Sequence, residues 1–140
     1  MNLMGMTKKQ FLKKSKKVLN DTGGILLLFI EIILKEENKK INHNDASNQL
    51  NNIRKGIESI FFEFDELNPP GKCINLHLRI IRSLITLQES VNLYQQYLNT
   101  IKNNRNEKSK DNLEESRKLL EEFRKEYHLL ADEVKNLLKK

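Results

Sequence analysis

Tryptophan is absent, cysteine occurs once, proline twice and glycine five times in 140 residues. Each shortage excludes something. Lone Cys73 cannot close an intramolecular disulfide, so nothing requires an oxidising compartment and a cytoplasmic protein is expected. Two prolines and five glycines are too few turn formers for the many reversals of an all-β chain, and a content of 38% hydrophobic and 31% charged residues suits a charge-rich helical protein. No apolar run approaches the roughly 20 residues of a membrane span. The longest, residues 25–34, carries Glu31 near its middle. Basic residues ahead of it imitate a signal peptide, but that basic segment is long and no small-residue cleavage site follows.

The motifs of catalysis are missing as well. There is no phosphate-cradling glycine loop, no G-x-S-x-G, no H-E-x-x-H and no paired cysteines. No glutamate stands three residues before His43, His77 or His128, so the Glu-x-x-His pairs of di-iron bundles are absent. A non-enzymatic protein with no metal and no cofactor is expected.

What the chain does have is helical periodicity. Thr7 is placed to cap a first helix over residues 7–38, with Phe11, Leu12, Ser15, Val18 and Leu19 on one face. Asn20, Asp21, Thr22, Gly23 and Gly24 interrupt it, yet Leu12, Leu19, Leu26 and Ile33 keep phase across the interruption. One long helix is expected, kinked or straight at the glycine pair, with a separate short N-terminal helix as the alternative. Residues 25–34, apolar nearly all round, predict a buried central segment.

A second helix over 45–67, capped by Asn44 or Asp45, shows the stripe Leu50, Ile53, Ile57, Ile60, Phe61, Phe64 and Leu67. Asn68, Pro69, Pro70 and Gly71 must end it, because a proline ring blocks helix continuation and restricts the residue before it. Pro70 then opens a third helix over 70–103. Its inward face is expected to include Ile74, His77, Leu78, Ile81, Leu84, Ile85, Val91, Tyr94, Leu98 and Ile101. A polar connector over 103–110, with Ser109 or Asp111 as cap, leads to a fourth helix over 110–139. That helix carries a coiled-coil heptad: Leu113, Leu120, Tyr127 and Val134 at one position, Ser116, Phe123, Leu130 and Leu137 at the other. The expected architecture is all-α, a single-domain antiparallel up-down four-helix bundle over residues 1–140 with a flexible N-terminus at 1–6. The abundance of lysine, asparagine and isoleucine is that of an AT-rich prokaryotic genome.

Charge is unevenly spread. Residues 1–20 hold six lysines and no acid, residues 21–68 have a net charge of −4, residues 69–105 of +4, and residues 106–140 are neutral. Three groups of residues follow as candidates. Glu31, inside its apolar run, should find a cation if buried, and His77 or Arg82 on the third helix would complete a polar tie in the core. Arg79, Arg82, Tyr94 and Tyr97 form a candidate surface for a protein partner or a second copy of the chain. Lys8, Lys9, Lys13, Lys14, Lys16 and Lys17 form a candidate anion-binding face, for an anionic membrane or nucleic acid. The expected function is a non-enzymatic bundle acting through protein contacts, as adaptor, small regulator or self-assembling dimer. The alternative is peripheral binding of an anionic surface through the lysines.

Overall fold

The structure, a computed structural model, describes residues 5–102 and 106–140. Four helices account for most of it: α1 (Lys8–Glu37), α2 (His43–Asp65), α3 (Ile74–Lys102) and α4 (Asn106–Leu138). They form an antiparallel up-down-up-down bundle in which α1 packs on α2, α2 on α3, α3 on α4 and α4 back on α1, leaving α1 and α3 on a diagonal.

Local chemistry sets the ends. Thr7 and Gln10 make a reciprocal capping box: the Thr7 hydroxyl accepts from the Gln10 N–H at 3.1 Å and the Gln10 carboxamide accepts from the Thr7 N–H at 2.9 Å. From there α1 runs unbroken through Gly23 and Gly24 to Glu37, which removes the alternative of a separate short helix. It stops in a Schellman arrangement. Lys39 takes a left-handed φ of 57°, the Lys40 N–H reaches the Lys35 carbonyl at 2.8 Å, and the Lys39 N–H reaches Glu36 at 3.0 Å. Asn42, two or three residues earlier than expected, caps α2 by accepting from the Asp45 N–H at 2.7 Å.

The double proline ends α2 as expected, but Pro70 does not open α3. It precedes a single 3-10 turn, Gly71–Cys73, whose Cys73 N–H bonds the Pro70 carbonyl at 2.8 Å, and α3 starts at Ile74. The connector expected at 103–110 is also shorter. Residues 103–105 lie outside the described residues, and Asn106 is already helical, so Ser109 and Asp111 sit inside α4 and not at its N-cap. Of the N-terminus expected to be flexible at 1–6, residues 1–4 lie outside the described residues, while Met6 packs against the core.

The core has two connected ends. Phe11, Leu12, Phe64, Leu76, Ile80 and Leu130 fill one; Phe29, Leu50, Ile57, Val91, Leu98 and Phe123 fill the other. Burial of each such side chain stabilises the fold by about 1.5–3 kcal/mol. The closest seam is between α3 and α4, and serines make it so. Ser90 Oγ donates to the Ser116 carbonyl and Ser116 Oγ to the Ser90 carbonyl, both at 2.8 Å, in a fully buried reciprocal pair. A small side chain that bonds the facing backbone lets two helices approach without orphaning a hydroxyl. Tyr127 plays the matching part between α4 and α1, where its hydroxyl donates to the Leu19 carbonyl at 2.8 Å beside Gly23.

Two expectations about burial fail. Residues 25–34 are not central: Leu27, Leu28 and Leu34 are exposed, because α1 stands at a corner of the bundle and buries only the face carrying Leu26, Phe29 and Ile32. Ile74, Leu78 and Ile85 of α3, expected to face in, are exposed, Ile85 beside Phe62 of α2.

Candidate functional site

The polar tie does not form. Glu31 points outward with its side chain 56% exposed and pairs with Lys35, one turn along, at 2.9 Å. Arg82 is exposed on α3. His77 alone is buried, and its Nε2–H donates at 2.8 Å to the carbonyl of Phe64 in the last turn of α2, which also accepts from the Leu67 N–H at 3.2 Å. Its ring lies 4.8 Å from that of Phe64 and 5.8 Å from that of Phe11. His77 therefore closes the end of α2 and joins three helices; it is a structural residue. The apolar run around Glu31 reads as buried on all sides, whereas the corner position of α1 in the bundle exposes one side.

The proposed arginine and tyrosine surface is also dispersed. Arg79 is drawn across to α4, where Nη1 bonds Glu133 at 2.8 and 3.1 Å and Nε bonds Glu126 at 3.3 Å. Tyr94 is 1% exposed, with its hydroxyl donating to Glu36 Oε2 at 3.1 Å. Burial, then the neighbouring Glu36 charge, holds the Tyr94 phenol well above its ordinary pKa. Tyr97 packs at 5.4 Å from Tyr94 and is half-buried. Of the four, only Arg82 is exposed.

Tyr97 instead lines a cleft of about 650 Å³ at the α1–α2 turn with Glu36, Glu37, Lys39, Lys40, Ile41, Asn42 and His43. Glu36 is its hidden member, its side chain 9% exposed, with His43 Nε2 at 3.4 Å on one oxygen and Tyr94 on the other. Glu36, His43 and Tyr94 come from three helices, and no local pattern links them. The cluster joins α1, α2 and α3 at this end as His77 does at the other. Among the described residues no group of three or more His, Cys, Asp or Glu side chains is arranged to hold a metal ion, and no helix is long and apolar enough to cross a membrane.

Two surfaces present unsatisfied chemistry. The first follows α3 on its α2 side. Leu78 and Ile85 stand seven residues apart and exposed, Phe62 of α2 is 61% exposed beside them, and a groove of about 210 Å³ runs between Ile57, Phe61, Phe62, Leu84 and Ile85. Glu89 lines this groove and Arg82, seven residues before it, stands at the α4-side edge of the same exposed stripe; neither has an ion-pair partner among the described residues. Glu58 and Glu89 edge the groove.

The second is the outer side of α1. Lys8, Lys9, Lys13, Lys14, Lys16 and Lys17 are all exposed, and among the described residues only Lys17 has an acidic partner, Asp21 at 2.9 Å. The first turn of α1 contains no acid. Lysines there oppose the helix macrodipole, each costing about 0.3–1 kcal/mol relative to an acid's gain at that end. Phe11, Leu12 and Leu19, the apolar face of this segment, are 0–4% exposed, so they serve the bundle core and are not available to insert elsewhere. Comparison with known proteins finds no matching family model, no matching curated protein and no matching solved structure.

Proposed function

We propose that the protein is a non-enzymatic cytoplasmic bundle that acts through protein contacts, and that the contact is with a second copy of itself along α3. The observation that carries this reading is the order of side chains on the exposed face of α3: Leu78, Arg82, Ile85, Glu89. Steps of four, three and four keep all of them on one stripe. A two-fold axis must map such a stripe onto itself. Antiparallel α3 helices with the axis between Ile85 and Thr86 set Arg82 of each copy against Glu89 of the other, twice, around a centre of Ile85 and Phe62. The face is thus self-complementary in charge as well as apolar.

Charge exchange tests it. Arg82→Glu or Glu89→Arg alone replaces two attractive pairs by two repulsive ones. At about 1 kcal/mol for each exposed pair this weakens association by about 2 kcal/mol, roughly thirtyfold. The double variant restores the pairs and should restore the dimer. Two singles that dimerise like the unaltered protein would remove this interface.

A second reading has its own observation. Six exposed lysines, two of them in the first turn of α1 where a cation opposes the helix dipole, support binding of a negatively charged surface, a bilayer or a nucleic acid. Changing Lys9, Lys13, Lys16 and Lys17 to glutamine should abolish such binding in a salt-dependent assay; unchanged binding would remove it.

A further inference from the structure

We infer that the surface met by α1 is an anionic lipid bilayer, contacted by Leu27, Leu28 and Leu34 together with the lysines; this rests on the second reading above.

The leucines and the lysines belong to one face. At 100° per residue, Lys9, Lys13, Lys16, Asn20, Leu27 and Leu34 fall within about 60° of one another on α1, with Lys17 and Leu28 along its adjoining edge. That whole side is turned away from the core, since the opposite side carries Phe11, Leu19, Leu26 and Phe29. Leu27 is 68% exposed, Leu28 55% and Leu34 52%. A continuous helix of 30 residues holds the basic half and the apolar half in line over about 45 Å.

The acids of α1 that flank this side are paired within the molecule, while Glu63 of α2 stands near Lys17. Asp21 pairs with Lys17 and Glu31 with Lys35, both at 2.9 Å, and Glu37 pairs with Arg117 of α4 at 3.1 Å. The neighbouring helix adds to the field. Glu126 and Glu133 of α4 are both turned towards Arg79 of α3, whereas Lys135 and Arg124, the latter 4.0 Å from Glu121, share the stripe next to Tyr127, which faces α1. What faces outward is a strip of positive charge beside a patch of leucine.

That combination selects among polyanions. Nucleic acid is met by cations with stacking aromatics or base-reading polar groups, and three leucines have no place against phosphates. An anionic bilayer offers both halves: headgroups for lysine and the acyl boundary for leucine. The depth is shallow, because the Glu31–Lys35 pair lies among the leucines and stays at headgroup level. Because α1 and α3 are diagonal, the α3 face remains open when α1 lies on a membrane.

Co-sedimentation with vesicles of phosphatidylcholine containing about 30% phosphatidylserine, against phosphatidylcholine alone and against duplex DNA, tests this. The protein should bind the anionic vesicles, weakly or not at all the neutral ones. Each lysine lost should lower partitioning by about fivefold. Leu27→Ser, Leu28→Ser and Leu34→Ser together should lower it by about tenfold or more with helicity unchanged, the side chains being exposed already. Since the chain has no tryptophan, Leu27→Trp supplies a single reporter whose emission should shift to the blue on anionic vesicles. Vesicle binding that ignores the triple serine change, with no blue shift, would overturn the inference and leave lysine-driven binding standing. Binding of DNA but not vesicles would do the same. Binding to neither would overturn both.

Discussion

Replacing Gly23 and Gly24 one at a time with alanine should move stability in opposite directions. Both lie inside α1, where alanine is favoured over glycine by about 1 kcal/mol on propensity alone. A Cβ added at Gly24 has nothing within 4 Å, so most of that gain is realised. A Cβ added at Gly23 falls on the Tyr127 hydroxyl. The Leu19 carbonyl already accepts from the N–H four residues on, that of Gly23, and Tyr127 takes up its second lone pair at 2.8 Å. A side chain at 23 crowds that second partner. Either the phenol leaves, at about 1–3 kcal/mol for a part-buried bond, or α1 and α4 separate, at about 1–3 kcal/mol of overpacking. Net of propensity, Gly23→Ala should destabilise by roughly 1 kcal/mol or more, a fall of about 3 °C in Tm for a chain of this size. Urea unfolding followed by helical CD measures both variants. In a Tyr127→Phe background the obstructing oxygen is gone and the nearest ring carbon is at 3.4 Å, an ordinary contact, so Gly23→Ala should become neutral or stabilising. Equal stabilisation by the two alanines in the native background would refute this account of the α1–α4 seam.

Two further outcomes follow from the same packing. Ser90→Leu should destabilise by about 2–3 kcal/mol in urea unfolding, since it wedges the closest helix pair apart and removes the hydroxyl that donates to the Ser116 carbonyl. Stability should also fall at alkaline pH. Burial raises the Tyr94 phenol above its ordinary value of 10.0, as it does those of Tyr97 and Tyr127, with Glu36 adding to the shift at Tyr94 and Tyr97. The unfolded chain therefore loses phenolic protons first as pH rises past about 10, and it gains on the folded state from there upward, while below 10 the stability is fully present. Tyrosinate absorbance should appear together with loss of helix, and Tyr94→Phe should flatten the decline.

Legibility varied with how local the cause was. Thr7 and Gln10 announce the start of α1 because a capping box lies within four residues, and the heptad from Leu113 to Leu137 announces α4 because one stripe repeats undisturbed. Tyr94 lies on the inward stripe of α3, so its burial is legible in the sequence, but the partner of its hydroxyl, Glu36, stands 58 residues earlier and is not. Glu31 and the leucines around it misled because how much of a helix is covered depends on its neighbours, and α1 stands at a corner. The Ser90–Ser116 seam did leave a signal, in serines spaced by seven at 83 and 90 on one helix and at 109 and 116 on the next. The α1–α2 cleft left none, being assembled from three helices. The lysine face was legible as charge, but that its apolar side is used up in the core while leucines further along replace it on the outside required the packed bundle.

Self-association is the claim on which the proposed function turns. Sedimentation equilibrium of the unaltered chain between about 1 and 100 μM, at moderate salt and without lipid, tests it most directly. The α3 interface predicts a concentration-dependent shift from the 16.5 kDa monomer to twice that mass. A mass of 16.5 kDa across the whole range would contradict it.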